Sequence, residues 1–190
     1  MMLICSMSVS VDGYVTDRAG RLSWGTPSDE QFAFTLAQVG ELGAYICGRR
    51  LYETMLVWET DPELRRAEAS AAFADVWSAL PKIVLSRTLD HVEGSARLAS
   101  GSLPEVVADT LAGTDRDVSI GGANLVHQAF VLGLLDEVRM FRNPVVLGGG
   151  TPLLPPVPDA VPLDLVETRV FADRVVYERY RVVRGADAPA

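Results

Sequence analysis

The chain has 190 residues, is 48% hydrophobic and carries a formal net charge of −8, so one domain with a sizeable core is the default. The acidic balance argues against nucleic acid or an anionic membrane as the main partner. No stretch approaches the ~18 uninterrupted apolar residues of a membrane span, and the N-terminus lacks the basic, apolar, small-residue order of a signal peptide.

A cytoplasmic setting is therefore expected, in which Cys5 and Cys47, both in apolar strand-like runs, are buried thiols rather than a disulfide. His91 and His127 have no metal spacing to them, so no metal is expected. Residues 3–10 alternate, with Leu3, Cys5, Met7 and Val9 on one side and Ile4, Ser6, Ser8 and Ser10 on the other. That is a strand whose serine face suits a polar cleft or solvent. Asp12-Gly13 signals a turn before Tyr14-Val15-Thr16 extends again.

After Trp24, a helix starts at Thr26-Pro27 or at Ser28 with Gln31 three residues later, and runs to about Leu42. Its apolar stripe is Phe32, Leu36 and Val39. Asp29 continues that stripe, either as a first-turn partner of the helix dipole or as a group facing a cavity. Ala44-Tyr45-Ile46-Cys47 is a short buried strand that ends at Gly48-Arg49-Arg50, where a helix begins. Guanidinium groups beside a helix start suit a phosphate, and they suit solvent equally well.

The alanine-rich segment from Asp61 to Leu80 predicts one helix anchored by Phe73, Val76 and Trp77. Lys82–Leu85 is a strand with Ser86-Arg87-Thr88 at its carboxyl end, the end at which open α/β sheets bind ligands. Ser102 with Glu105 is a capping box, and Gly113 closes its helix. In the stretch from Asp117 to Phe130, a strand stops at Gly121-Gly122 and a helix follows through Ala123, Asn124 and Leu125. Such a junction offers free N–H groups to an anion, or is a tight turn with no ligand. Leu135 to Arg142 alternates as a strand with mixed faces, Asn143-Pro144 breaks it, and Gly148-Gly149-Gly150 opens a proline-rich loop. Residues 163–171 and 175–183 form a closing antiparallel hairpin, and residues 185–190 a frayed tail. The order implies an α/β fold on a mostly parallel sheet with an antiparallel edge; the G-x-G-x-x-G fingerprint is absent.

Taken together and in order, five segments carry a resemblance: Ser10-Val11-Asp12-Gly13-Tyr14, Gly48-Arg49, Leu85-Ser86-Arg87, Ile120-Gly121-Gly122, and the run from Asn143-Pro144 to Leu153. The set resembles the dihydrofolate reductase fold, and more closely the reductase domain of bacterial riboflavin biosynthesis, over residues 3–183. The resemblance implies a single-domain three-layer αβα architecture, a bound NADPH, and hydride transfer to a small N-heterocycle or imine. It places the cofactor phosphates at Gly48, Arg49 and Arg50, and the adenosine 2′-phosphate at Ser86, Arg87 and Thr88. The pyrophosphate falls over Gly121, Gly122, Ala123, Asn124 and Leu125, and the nicotinamide beside Ser8 and Val9. Asp12, Trp24, Asp29 and Tyr52 fall on the substrate side, with Asp29, or Glu30 in its place, as the group that supplies a proton. The resemblance also implies a homodimer through the C-terminal strands. The zinc deaminase signature that accompanies this domain in the riboflavin pathway is absent, so a stand-alone relative is expected. The alternative on the same fold is a non-catalytic NADPH-binding dimeric module or sensor.

Overall fold

The computed structural model describes residues 1–22 and 26–184; Trp24 and the expected tail at 185–190 lie outside them. The core is an eight-stranded sheet of β1 (Leu3–Ser10), β3 (Ala44–Gly48), β4 (Lys82–Leu85), β5 (Ala96–Leu98), β6 (Val118–Gly121), β7 (Glu137–Asn143), β9 (Leu163–Val170) and β10 (Val176–Val182). Their spatial order is β5-β4-β3-β6-β1-β7-β10-β9. The strands from β5 to β7 run parallel, and the β9–β10 hairpin adds antiparallel to β7. A small ribbon of β2 (Tyr14–Thr16) and β8 (Thr151–Pro152) lies apart from this sheet.

Helices cover both faces, which gives the three layers. The face carrying Leu3, Cys5 and Val9 packs on α5 (Leu103–Ala112) and α6 (Ala123–Val131) through residues such as Val106 and Val126. The face carrying Ile4 and Tyr45 packs on α1 (Asp29–Gly40) and α4 (Glu68–Ala79) through Leu36, Phe73 and Trp77. The fully buried ones, such as Val126, contribute roughly 1.5–3 kcal/mol each, and the half-buried Leu36 contributes less. Two shorter helices, α2 (Arg49–Met55) and α3 (Val57–Thr60), cross the end of β3.

The caps follow the sequence reading. Ser28 Oγ accepts from the Gln31 amide to start α1, and both halves of the Ser102–Glu105 capping box form on α5. One expectation is corrected, and one strand was not anticipated. The segment 61–80 is not one helix: Asp61 caps a 3-10 turn over Pro62–Arg65, Ala67 is extended, and α4 starts only at Glu68. The short edge strand β5 has no periodic signal in its three residues. Both cysteines are buried free thiols, and burial pushes their pKa up to about 12. No helix among the described residues is long and apolar enough to cross a membrane.

Candidate active site

Parallel register brings the junctions singled out in the sequence to one level. Gly48 lies opposite Leu85, and Cys47 opposite Gly121. With neighbouring strands about 4.8 Å apart, the ends of β4, β3 and β6 form a rim roughly 10 Å wide. Arg49 and Arg50 stand on that rim at the first turn of α2, and Arg87 follows β4. All three arginines are exposed. Arg49 is 3.8 Å from Glu53, whereas Arg50 and Arg87 have no ion-pair partner among the described residues. Ser86 Oγ accepts from the amides of Thr88 and Leu89 at 3.1 and 3.0 Å, which curls the chain so that the Ser86 and Thr88 hydroxyls meet.

At β6, Gly122 has φ 90°, a conformation that favours glycine. Among the described residues no side chain caps α6, and with Leu125 N already donating to Gly122 O, the amides of Ala123 and Asn124 are those left at the positive end of its dipole. Ala123 and Asn124 sit there; Asn124 is exposed and accepts from Gln128, while Leu125 packs inward under Gly48. Gly121 differs from the expectation that it leaves room for a phosphate. A Cβ there would lie 2.2 Å from the Tyr45 hydroxyl and 2.5 Å from Leu51, so its missing side chain makes space for these two residues.

At the end of β1, Val9 is fully buried in the core and offers only its backbone, while Ser8 is half-buried on the serine face. Asp12 is already committed. Its carboxylate accepts from Ser10 Oγ at 2.7 Å, and from the amides of Leu147 and Gly148 at 3.1 and 2.7 Å. Chiefly through the Ser10 hydroxyl, its pKa falls to about 2. Asp12 thus clips the glycine loop to the first turn, and Arg18 donates to Gly148 O from the other side at 2.6 Å. Within that loop, a Cβ on Gly150 would sit 1.9 Å from Thr16 O, which only glycine avoids.

A cavity of about 150 Å³ opens between the serine face of β1 and helices α1, α2 and α4. Ser6, Thr35, Gln38, Ser119 and Arg139 are its polar lining, among apolar groups that include Trp77. The carboxylates expected here are elsewhere. Asp29 is exposed at the first turn of α1 and lines nothing in the cavity. The C-terminal hairpin clamps that turn: Ser28 N donates to Asp173, and Glu30 accepts from Arg169 at 2.7 Å. The Arg169 hydrogen bond lowers the Glu30 pKa. Tyr52 also lies away from this cavity. It is buried against Cys47 and Val84, and its hydroxyl accepts from the Glu93 amide at 2.7 Å. Its helix presents Leu51 and Met55 to the cavity, one turn apart, and Tyr52 to β3 and β4.

Ser6 belongs to the serine face read from the sequence as suiting a polar cleft, whereas the polar network behind Gln38 and Arg139 was not singled out. Glu137, fully buried on β7, accepts from Arg139 Nε at 2.7 Å and stands 2.8 Å from Arg179 Nε as an ion contact. Gln38 Nε2 donates to the Tyr177 hydroxyl at 2.7 Å. Tyr45 bonds Ser119 over Gly121, and burial raises its pKa. The available signal was the alternation of β7, which puts Glu137 and Arg139 on one face and Val138 and Met140 on the other.

The profile of the RibD C-terminal domain family matches residues 1–177. The chain is 28% identical over 181 residues to the uncharacterized protein YyaP of Bacillus subtilis (strain 168), covering 92% of this chain and 91% of that one. Among solved structures, a putative riboflavin biosynthesis protein from Shewanella sp. PV-4 superposes with a TM-score of 0.77 at 25% identity, covering 97% of this chain and 100% of that chain. Dihydrofolate reductase from Enterococcus faecalis, complexed with NADP(H) and RAB-propyl, superposes with a TM-score of 0.62 at 18% identity, covering 95% of this chain and 96% of that chain.

Proposed function

The chain belongs to the RibD C-terminal domain family, and from that premise we propose that it is an NADPH-dependent reductase acting on a small N-heterocycle or imine. The fold is that of pyrimidine- and pterin-type reductases. The observation that carries the reading is the shared level of the β4, β3 and β6 ends, which sets a helix start without a side-chain cap and exposed arginines where they would line one extended anionic ligand. NADPH, when bound, supplies the hydride.

The protein's part is binding and orientation. The amides of Gly122, Ala123 and Asn124 would face the pyrophosphate, with Arg49 and Arg50 beside it. Ser86, Arg87 and Thr88 would take the 2′-phosphate, the group that separates NADPH from NADH. Ser8 and the Val9 backbone would border the nicotinamide. The cavity holds the acceptor and keeps water from it.

The test is a comparison of NADPH and NADH binding in the wild type and in Arg50→Ala/Arg87→Ala. The expected result is NADPH binding tighter than NADH, with loss of about tenfold or more of NADPH affinity in the variant, as for removed charge-assisted hydrogen bonds. No binding of either dinucleotide ends the reading. One observation favours a second reading, a non-catalytic NADPH-binding module: among the described residues no carboxylate lines the cavity to supply a proton. Turnover with any pyrimidine, pterin or aldimine excludes it.

We infer also that the assembly is a homodimer through β9. This strand is an eight-residue sheet edge with Leu165 and Val170 exposed, the kind of surface that another copy covers. Leu165→Lys/Val170→Lys should sediment as a monomer where the wild type is a dimer; a monomeric wild type contradicts the inference.

A further inference from the structure

Resting on the cofactor reading, we propose that Tyr52 and Glu59 are positioning residues for the dinucleotide. They tie the loop that carries Ser86, Arg87 and Thr88 to the helix that carries Arg49 and Arg50, and so set how far NADPH is preferred over NADH.

The loop runs over residues 86–95, between β4 and β5. Its near end presents the Ser86, Arg87 and Thr88 side chains, which would take the 2′-phosphate. Its far end is held from α2 and α3. Tyr52 is buried on α2, and its hydroxyl accepts from the Glu93 amide at 2.7 Å. Glu59 on α3 accepts from the Ser95 amide through Oε2 at 3.1 Å. Among the described residues, these are the two hydrogen bonds that join the loop to α2 and α3. The fit at Glu59 is close. Gly94 has φ 67°, and a Cβ on it would lie 2.0 Å from Glu59 Oε2. Leu89 and Val92 of the loop pack on the cluster that holds Tyr52.

Glu59 is itself fixed. Its Oε1 stands 2.9 Å from Lys82 Nζ, and the two side chains are 8% and 2% exposed. Lys82 is the one lysine of the chain. Its Nζ also donates to Leu80 O at 3.1 Å, to Trp77 O and to Ser95 Oγ, and lies 4.9 Å over the Trp77 ring. A buried ion pair adds little net stability, because desolvation offsets the attraction. What this one fixes is position: the Lys82 ammonium holds Glu59 and Ser95 together, under the turn that Gly94 makes.

The consequence for binding follows from connectivity. Arg49 and Tyr52 lie on the same short helix, so the element that presents the phosphate arginines also holds the far end of the loop. NADPH has to engage α2 and residues 86–88 at once, whereas NADH lacks the 2′-phosphate. A loop held in place before binding avoids an ordering cost at binding. Releasing it from α2 therefore weakens NADPH more than NADH.

The test uses the full chain. NADPH and NADH affinities are measured for the wild type, Tyr52→Phe and Glu59→Gln, together with amide hydrogen exchange in the ligand-free proteins. Tyr52→Phe keeps the ring and removes the acceptor. It carries the test if Glu59→Gln, which leaves Lys82 short of a counter-charge, does not fold. NADPH should weaken by about three- to tenfold in each variant and NADH by less than about twofold, and the Thr88 and Leu89 amides should exchange faster. In an Arg87→Ala background the loss caused by Tyr52→Phe should shrink, because a positioning residue acts through the group it positions. Thr110→Val on α5, which removes a buried hydroxyl bonded to Val106 O, is the structural control: it should lower Tm and leave the NADPH-to-NADH ratio as it was. Equal weakening of both dinucleotides, an undiminished loss in Arg87→Ala, a shifted ratio in the control, or unchanged exchange at Thr88 and Leu89 overturns the proposal. A wild type that binds neither dinucleotide ends the cofactor reading and the proposal with it. Exchange separates the two failures: it still quickens in Tyr52→Phe if the ligand is wrong, and stays unchanged if the link is.

Discussion

Arginine is used in two opposite ways in this chain. On the rim, Arg50 and Arg87 are exposed, and neither has an ion-pair partner among the described residues. On the cavity wall, Arg139 is buried and held by Glu137, with Arg179 on the other oxygen of the same carboxylate. The difference separates binding from architecture. A rim arginine can be removed at little expense to folding, and what it loses is a ligand contact. A wall arginine is part of the core, and removing it strands a buried charge.

The comparison can be broken most directly at the wall. Arg139→Ala leaves Glu137 buried with one partner fewer and should destabilise the fold by about 3–5 kcal/mol, read by urea denaturation. A smaller effect is expected from Glu137→Gln/Arg139→Met, and a larger one would remove the stranded-charge explanation. Next comes Gly121→Ala, where the new Cβ meets Tyr45 and Leu51. Overpacking of that kind costs about 1–3 kcal/mol, and Gly121→Ala/Tyr45→Phe should recover part of it. On the rim, Arg87→Ala should change stability by no more than about 0.5 kcal/mol, while weakening NADPH more than NADH. The smallest effect concerns the Asp12 clip. The Asp12 pKa is lowered from 3.8 to about 2, so its contribution is present above the ordinary carboxylate pKa and is lost as pH falls through the lowered one. The gap in thermal midpoint between wild type and Asp12→Asn should be full near neutrality and close between these two values; a gap independent of pH contradicts the clip.

The same contrast explains what the sequence disclosed. Rim residues belong to strand–glycine–helix junctions, each contiguous in the chain, so Gly48-Arg49-Arg50, Ser86-Arg87 and Gly121-Gly122 can be read locally. The sheet order then needs only the alternation of strands and helices and the closing hairpin. Wall residues come from separate elements, Gln38 from α1, Ser119 from β6 and Arg139 from β7, and are backed by Tyr177 and Arg179 from β10. Nothing in one segment says that they meet. Asp29 shows the limit of periodicity. Its phase on α1 is that of Phe32 and Leu36, yet Asp173 and Arg169 hold the first turn against the hairpin, away from the cavity. Tyr52 shows another limit, because α2 is buried on two sides and the sequence does not say which side is the site.

The central claim is that three strand ends grip one dinucleotide. Backbone amide shifts followed by NMR during an NADPH titration test it most directly. Residues 48–50, 86–88 and 122–124 should shift together and saturate at a single affinity. Shifts confined to one of these junctions, or clustered on β9 and β10 instead, would contradict it.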